Sequence, residues 1–286
     1  MTGINQIPTD YKKMIDQTYN FYLPKVKTAR TLYSEFNVDS GQITMEYAKS
    51  LQTYAEATGW SGMEPSAFLV ADGTSPQESS IGTEDATSTI LTYGKAFTIQ
   101  RKLLNSGLEF MKGHVAQHSL QVLNSIENQV NSSLITNMAS NAGQSYTASA
   151  TWDVTSDPVS DIIDAKNTFK KGSGGIDANF VLLHPDDYTF LEKDDRFQST
   201  LYTKSSSLET GEITPKPLGL QFVKDTQVTT GTFFMGAKGM FGKLMISENY
   251  KTFQKDQASI GMTYETIFSY VDQYPLPNYL LYATGI

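Results

Sequence analysis

The sequence predicts an α+β fold, and three observations carry that reading. Residues 106 to 140 form the longest proline-free stretch with a helical apolar row, through Met111, Val115, Val122, Ile126, Val130, Leu134 and Met138. Residues 158 to 246 alternate short helix-like and strand-like pieces. Residues 258 to 274 then alternate side by side, with Met262, Tyr264, Thr266, Phe268 and Tyr270 on one face. At about 1.5 Å per residue the first stretch makes a rod of roughly 50 Å. That exceeds what a compact domain of this size needs, so it reads as a spine, capped by Asn105 and Ser106 and stopped by Asn141 to Gly143.

Composition limits what hangs on that spine. A chain of 286 residues can bury a sizeable core, as one elaborated domain or two. Its hydrophobic content of 39%, with frequent glycine, serine and threonine, suits a globular body with long extended excursions. The absence of cysteine excludes disulfides, thiolate metal sites and cysteine nucleophiles. The first thirty residues hold no continuous apolar core of a signal peptide. No uncharged apolar run approaches the roughly 18 to 20 residues that span a bilayer, so a soluble, cytoplasmically made protein is expected.

The net charge of −8 argues against a general nucleic-acid coat. Its distribution is uneven: residues 1 to 33 hold five basic and two acidic side chains, residues 34 to 92 one and nine, and the remainder sixteen and nineteen. A basic arm is followed by an acidic stretch, either as two solvated surfaces or as partners between subunits.

Residues 1 to 60 read as an arm with helical pieces. Tyr11, Ile15, Tyr19 and Tyr22 fall at helical spacing, and Pro24 interrupts. Val26 to Phe36 resumes a helix with Lys25, Lys27 and Arg30 on other faces, and Ile43 to Ala57 suits another short helix. Residues 61 to 92 differ in kind: Ala71 to Thr89 is rich in glycine, serine, threonine and acids, a linker or a long two-stranded loop closed by Phe68, Leu69 and Val70 on one side and Ile90, Leu91 and Tyr93 on the other. Gly143 to Ala150 reads as a polar loop. Ser156 or Asp157 caps a helix with Pro158 in its first turn and Val159, Ile162, Ile163, Ala165 and Phe169 on its apolar side. Ala178 to Leu183 is a buried strand, and Pro185 begins a short helix. Residues 196 to 217 are loop-like, and Leu218 to Val223, Thr232 to Met235 and Lys243 to Ile246 are strands separated by glycine turns.

This order of parts resembles the major capsid proteins of tailed viruses, which share the Hong Kong 97 fold. The passage from Trp152 to Phe197, "WDVTSDPVSDIIDAKNTF" followed by "IDANFVLLHPDDYTFLEKDDRF", is similar to that family's helix, strand ending in asparagine or histidine, proline and short helix. "KPLGLQFVKDTQVTTGTFFMGAK" resembles the strand and small-residue turn that follow. The resemblance implies an N-terminal arm (1–60), an extended loop (61–97), a peripheral domain with the spine (98–150), an axial domain (151–245) and returning peripheral strands (246–286). It implies a subunit that assembles into pentamers and hexamers of an icosahedral head around double-stranded DNA. Its partners would be copies of itself, a portal, and separate scaffolding or decoration proteins, with no membrane and only weak contact with DNA. The arm and loop would each reach another subunit, giving Lys25, Lys27 and Arg30 on one side and Asp72, Glu78, Glu84 and Asp85 on the other as candidate intersubunit contacts. Relatives that weld loop to neighbour use a lysine–asparagine isopeptide bond, but residues 61 to 92 contain no lysine and Lys95 sits at the loop base. An encapsulin-like compartment is the alternative within the fold, and a soluble hydrolase or ligand-binding protein on residues 151 to 245 is the alternative outside it.

Signals for catalysis or a cofactor are weak, and none is expected. His114 and His118 lie four apart on the spine with only Glu109 near in sequence, too few to make a metal site. His184 precedes a proline as a turn residue, and no G-x-S-x-G supplies a partner serine. Gly236, Gly239 and Gly242 before Lys243 lack phosphate-loop spacing and read as turns. Asp186, Asp187, Asp194 and Asp195 lack calcium-loop spacing and read as a solvated acidic edge.

Overall fold

The computed structural model describes residues 7–38, 44–48, 83–87, 90–100, 108–152, 157–195, 197, 217–257 and 260–286. Among them the helices are α1 (Ile7–Val26), α2 (Leu108–Asn141), α3 (Pro158–Gly172) and α4 (Pro185–Lys193). The strands are β1 (Ser34–Asn37), β2 (Thr44–Ala48), β3 (Thr83–Thr87), β4 (Leu91–Gln100), β5 (Gln144–Thr147), β6 (Phe180–Leu183), β7 (Gln221–Lys224), β8 (Thr232–Gly236), β9 (Lys243–Gln257), β10 (Gly261–Gln273) and β11 (Leu280–Thr284).

The spine is α2, 34 residues long. Val115, Val122, Ile126, Val130, Leu134 and Met138 are buried along it as the apolar row requires, joined by Leu123 and Ile135. Its expected cap at 105 and 106 lies outside the described residues. At its end Gly143 donates to the Pro277 carbonyl at 2.9 Å, and a Cβ there would lie 2.6 Å from the Pro277 carbonyl carbon. Only glycine lets the chain leave the spine so close to that backbone.

α1 lies against the spine and β9, burying Tyr11, Ile15 and Tyr19. Contrary to expectation it runs through Pro24, because so near the end of a helix the missing N–H forfeits one bond and the chain stops two residues later. The helix expected from Val26 to Phe36 is instead a 3-10 turn over Ala29–Leu32 and then β1, which pairs in parallel with the start of β9, Ser34 opposite Lys243. Likewise residues 44 to 48 are not helical. They form β2, antiparallel to β3 with Thr44 opposite Thr87. In both places pairing with distant chain overrides a weak local helical period.

Two larger sheets flank the spine. One has the order β1-β9-β10-β4, and the other the order β5-β11-β8-β6-β7. In the first, β10 buries Tyr264, Thr266, Phe268 and Tyr270 as its alternation predicts. β9 continues eleven residues beyond the four expected, because β10 pairs with it along nearly its whole length. The second sheet is covered on both faces. Phe180, Leu182, Phe234 and Leu280 join the core that contains the spine, whereas Val181, Leu183, Phe233, Met235, Leu281 and Ala283 join a second core under α3. That two-sided burial is why β6 is apolar throughout.

Two strands of this sheet come from outside residues 151 to 245. β5 lies where a polar loop was expected, since an edge strand with alternate residues half-exposed needs no apolar run. β11 joins it from the C-terminus. α3 is capped by Asp157, whose Oδ1 accepts from the Ser160 N–H at 2.9 Å, but Ile163 stands exposed rather than on its buried side.

Glycine spacing gives opposite expectations at two positions. At Gly236 a Cβ would meet the Tyr279 carbonyl oxygen at 2.6 Å, so Gly236→Ala should cost about 1–3 kcal/mol in a urea melt. Gly113 faces open space inside α2, so Gly113→Ala should raise stability by about 0.5–1 kcal/mol in the same assay.

Candidate functional site

The three basic residues singled out on the arm have different fates. Arg30 is 1% exposed, and its Nη1 donates to Glu127 Oε1 of the spine at 2.6 Å while its Nε donates to Glu35 at 3.0 Å. Its guanidinium also lies 4.5 Å from the Phe268 ring centre. Arg30 is therefore used inside its own subunit and is withdrawn from the intersubunit contacts expected of it, because a buried guanidinium needs its carboxylate where it stands. Lys27 pairs with Glu35 at 3.1 Å, both partly exposed. Lys25 remains outward, its ammonium 4.1 Å from the centre of the Phe21 ring. Phe21 is itself 60% exposed.

Glu127 is the residue that sequence reading passed over. It lies four residues after Leu123 and three before Val130, inside the apolar stripe, and a lone carboxylate in such a stripe is the legible sign of a buried partner. Its Oε1 also accepts from the Tyr250 hydroxyl, and Tyr250 sits at a register shift between β9 and β10 with φ of 41°. The bulge lets the ring stack on Phe268 at 5.0 Å and reach the ion pair.

Burial works against the charge on Arg30, but Glu127 and then Glu35 outweigh it and raise its pKa. Burial also works against ionisation of Glu35, yet Arg30 first and then Lys27 hold its carboxyl below the ordinary 4.5. Burial, reinforced by Glu127, raises the Tyr250 hydroxyl and keeps it a donor.

Of the acidic candidates, Asp72 and Glu78 lie outside the described residues. Glu84 and Asp85 are placed on β3, opposite Tyr47 and Glu46 of β2, in a ladder that pairs with neither larger sheet among the described residues.

The groups weighed for chemistry do not converge. His118 is exposed and stacks on Phe97 at 5.9 Å. His184 caps α4, its Nδ1 accepting from the Asp186 N–H at 3.2 Å. Asp187 departs from the solvated edge expected of it: it is buried and accepts from the Gly231 N–H at 2.9 Å. Gly239 has φ of +75° in the turn after β8, and a Cβ on Gly242 would meet the Tyr33 ring at 2.7 Å, so packing explains that glycine series. Among the described residues no three histidine or carboxylate groups are placed to hold a metal ion, and no helix is long and apolar enough to cross a membrane.

What remains is outward surface: an arm with an exposed aromatic and cation, a two-stranded ladder, and a long β9–β10 hairpin bearing exposed Phe253 and Ile260. Residues 83–269, well over half of the chain, match a family model described as phage capsid protein. The chain belongs to the phage capsid protein family. Among solved structures it is similar to the virus-like particle from Pyrococcus furiosus, with TM-score 0.64 at 10% identity over 96% of this chain and 99% of that one. It is similar to the capsid of Cyanophage P-SCSP1u, with TM-score 0.59 at 12% identity over 90% and 88%. The holo-SrpI encapsulin complex from Synechococcus elongatus PCC 7942 matches with TM-score 0.55 at 8% identity over 92% and 89%. No curated protein matches. The phage capsid chain thus has the Hong Kong 97 type of fold, and it is a structural shell protein rather than an enzyme.

In this capsid chain Arg30→Met or Glu127→Gln alone should each cost about 3–5 kcal/mol in a denaturant melt, whereas Arg30→Met with Glu127→Leu should cost clearly less than the sum. A carboxylate whose folded pKa is lowered stabilises above its unfolded value and loses that contribution as pH falls. Glu35→Gln should therefore flatten the drop in Tm below about pH 4.5, leaving Tm at pH 7 lower than in the parent.

Proposed function

We propose that this chain is the major subunit of the icosahedral head of a tailed virus, assembling from its own copies into pentamers and hexamers that enclose double-stranded DNA. The observation that carries the reading is the family match laid over a fold whose β2–β3 ladder, among the described residues, pairs with neither larger sheet. A two-stranded ladder is marginal alone, so a neighbouring copy supplies the surface that orders it. In this reading the chain resides in the virion after assembly in the host cytoplasm. A portal is a further partner, scaffolding or decoration proteins are separate chains, and the net charge of −8 keeps contact with the packaged DNA weak.

The attraction between arm and acidic loop of different copies is narrower than the sequence implied. With Arg30 internal and Lys27 paired to Glu35, Lys25 and the exposed Lys12 and Lys13 of α1 face outward toward Asp72, Glu78, Glu84 and Asp85 of a second copy. Each exposed pair contributes about 0–1 kcal/mol, so the effect comes from repetition over the shell.

An encapsulin-like compartment is a second reading, favoured by the fold shared with the SrpI shell. Electron microscopy of the purified chain should show closed shells or rings of five and six. Nuclease-protected DNA inside shells made with the neighbouring viral gene products supports the virus, protein cargo supports the compartment, and a persistent monomer removes both. Lys12→Glu, Lys13→Glu and Lys25→Glu together should slow assembly and flatten its salt dependence, read by light scattering; an unchanged salt response rejects the charge pairing.

A further inference from the structure

The two larger sheets share no strand pairing, and the described chain passes between them by three routes: β4 to β5 through the spine, β8 to β9 through residues 237 to 242, and β10 to β11 through residues 274 to 279. Gly239, with φ of +75°, lies inside one crossing. The arm segment from Thr28 to Ser34 belongs to neither crossing, yet it is bonded to both of the short ones. The Gly239 N–H donates to the Leu32 carbonyl at 2.7 Å, Ser34 Oγ donates to the Gly239 carbonyl at 2.8 Å, and the Ser34 N–H donates to the Gly242 carbonyl at 3.3 Å.

The Tyr33 ring lies 4.9 Å from that of Phe241 on the same crossing, and on the other short crossing the Tyr33 and Tyr274 hydroxyls share a hydrogen bond of 2.6 Å. Thr28 reaches further, its hydroxyl donating to Asp225 in the turn between β7 and β8 of the five-stranded sheet. Arg30, between them, is held by Glu127 of the spine. One seven-residue segment thus holds the spine, both short crossings and the far sheet, with Ala29, Arg30, Leu32 and Tyr33 buried.

We infer that residues 28 to 34 are a clasp that sets the angle between the two sheets, and that loosening it frees their relative orientation while each sheet stays folded. Each ladder keeps its own strand pairing when the clasp opens, and the five-stranded sheet keeps the core under α3, while its other face moves on the spine core that it shares with the first sheet; the side-chain bonds of Thr28 and Ser34 are made to turns. The clasp concerns the single subunit. Its consequence, a fixed curvature presented to neighbouring copies, rests on the shell reading above.

The absence of cysteine makes the test direct, because two introduced thiols are the sole labelling sites. Spin labels on Asn167→Cys in α3 and Lys255→Cys in β9, both exposed, report the separation of the two sheets by double electron–electron resonance. Labelled chain is diluted into unlabelled chain so that only pairs within one subunit are read. Thr28→Val, Tyr33→Phe and Ser34→Ala together should broaden the distance distribution about twofold or move its centre, with far-ultraviolet circular dichroism unchanged. An unchanged distribution in the folded triple variant overturns the clasp. Should the triple variant not fold, the three single variants carry the test: broadening in Thr28→Val or Ser34→Ala supports the clasp, and the parent distribution in all three overturns it. The readout does not depend on whether shells close, so failure of the clasp and failure of the shell reading are separate results.

Discussion

A buried guanidinium facing a buried carboxylate is the interaction on which the arrangement of this subunit depends. Arg30 and Glu127 are 97 residues apart and each is almost wholly removed from water. Either charge left alone there is costly, so the arm turn and the middle of the spine are obliged to meet. Tyr250 completes the site from β9, and its positive φ is the local strain that this meeting sustains. Arm, spine and hairpin are thereby fixed at one point, and the aromatic stack of Tyr250 on Phe268 extends that point into the first sheet.

Around this node the division of labour follows from burial. The five-stranded sheet is apolar on both faces because it sits between the spine's core and the core under α3. The β9–β10–β4 ribbon is apolar mainly on the face toward the spine, and its other face carries residues such as Glu265, Lys251 and Phe253 that remain exposed. One sheet is thus covered on both faces at its middle strands, and the ribbon is covered on one face.

The charge pattern acquires a different meaning in three dimensions. Five basic residues near the N-terminus look like a single positive arm on paper. Folding divides them: Arg30 serves the interior, Lys27 shares Glu35 with it, and Lys12, Lys13 and Lys25 face outward. Residues of one charge and one neighbourhood thus do structural and surface work side by side. Glu35, a member of the acidic stretch, belongs electrostatically to the arm.

Elements whose periodicity is strong can be read from the residues alone. The spine's apolar row, the β10 alternation, the Asp157-Pro158 helix start and the uniformly apolar β6 were all legible, because burial on a regular element repeats with that element's own period. The capsid family was legible too, from the order of those elements and from the passage between Trp152 and Phe197. Tertiary structure alone decided β1, β2, β5 and the long end of β9. These are short or polar strands that exist through partners distant in sequence and carry no apolar period of their own. It also decided which charges are internal. A side chain's charge is written in the sequence, but whether it faces water or a buried partner depends on which distant residue the fold brings opposite it, as Glu127 is brought to Arg30.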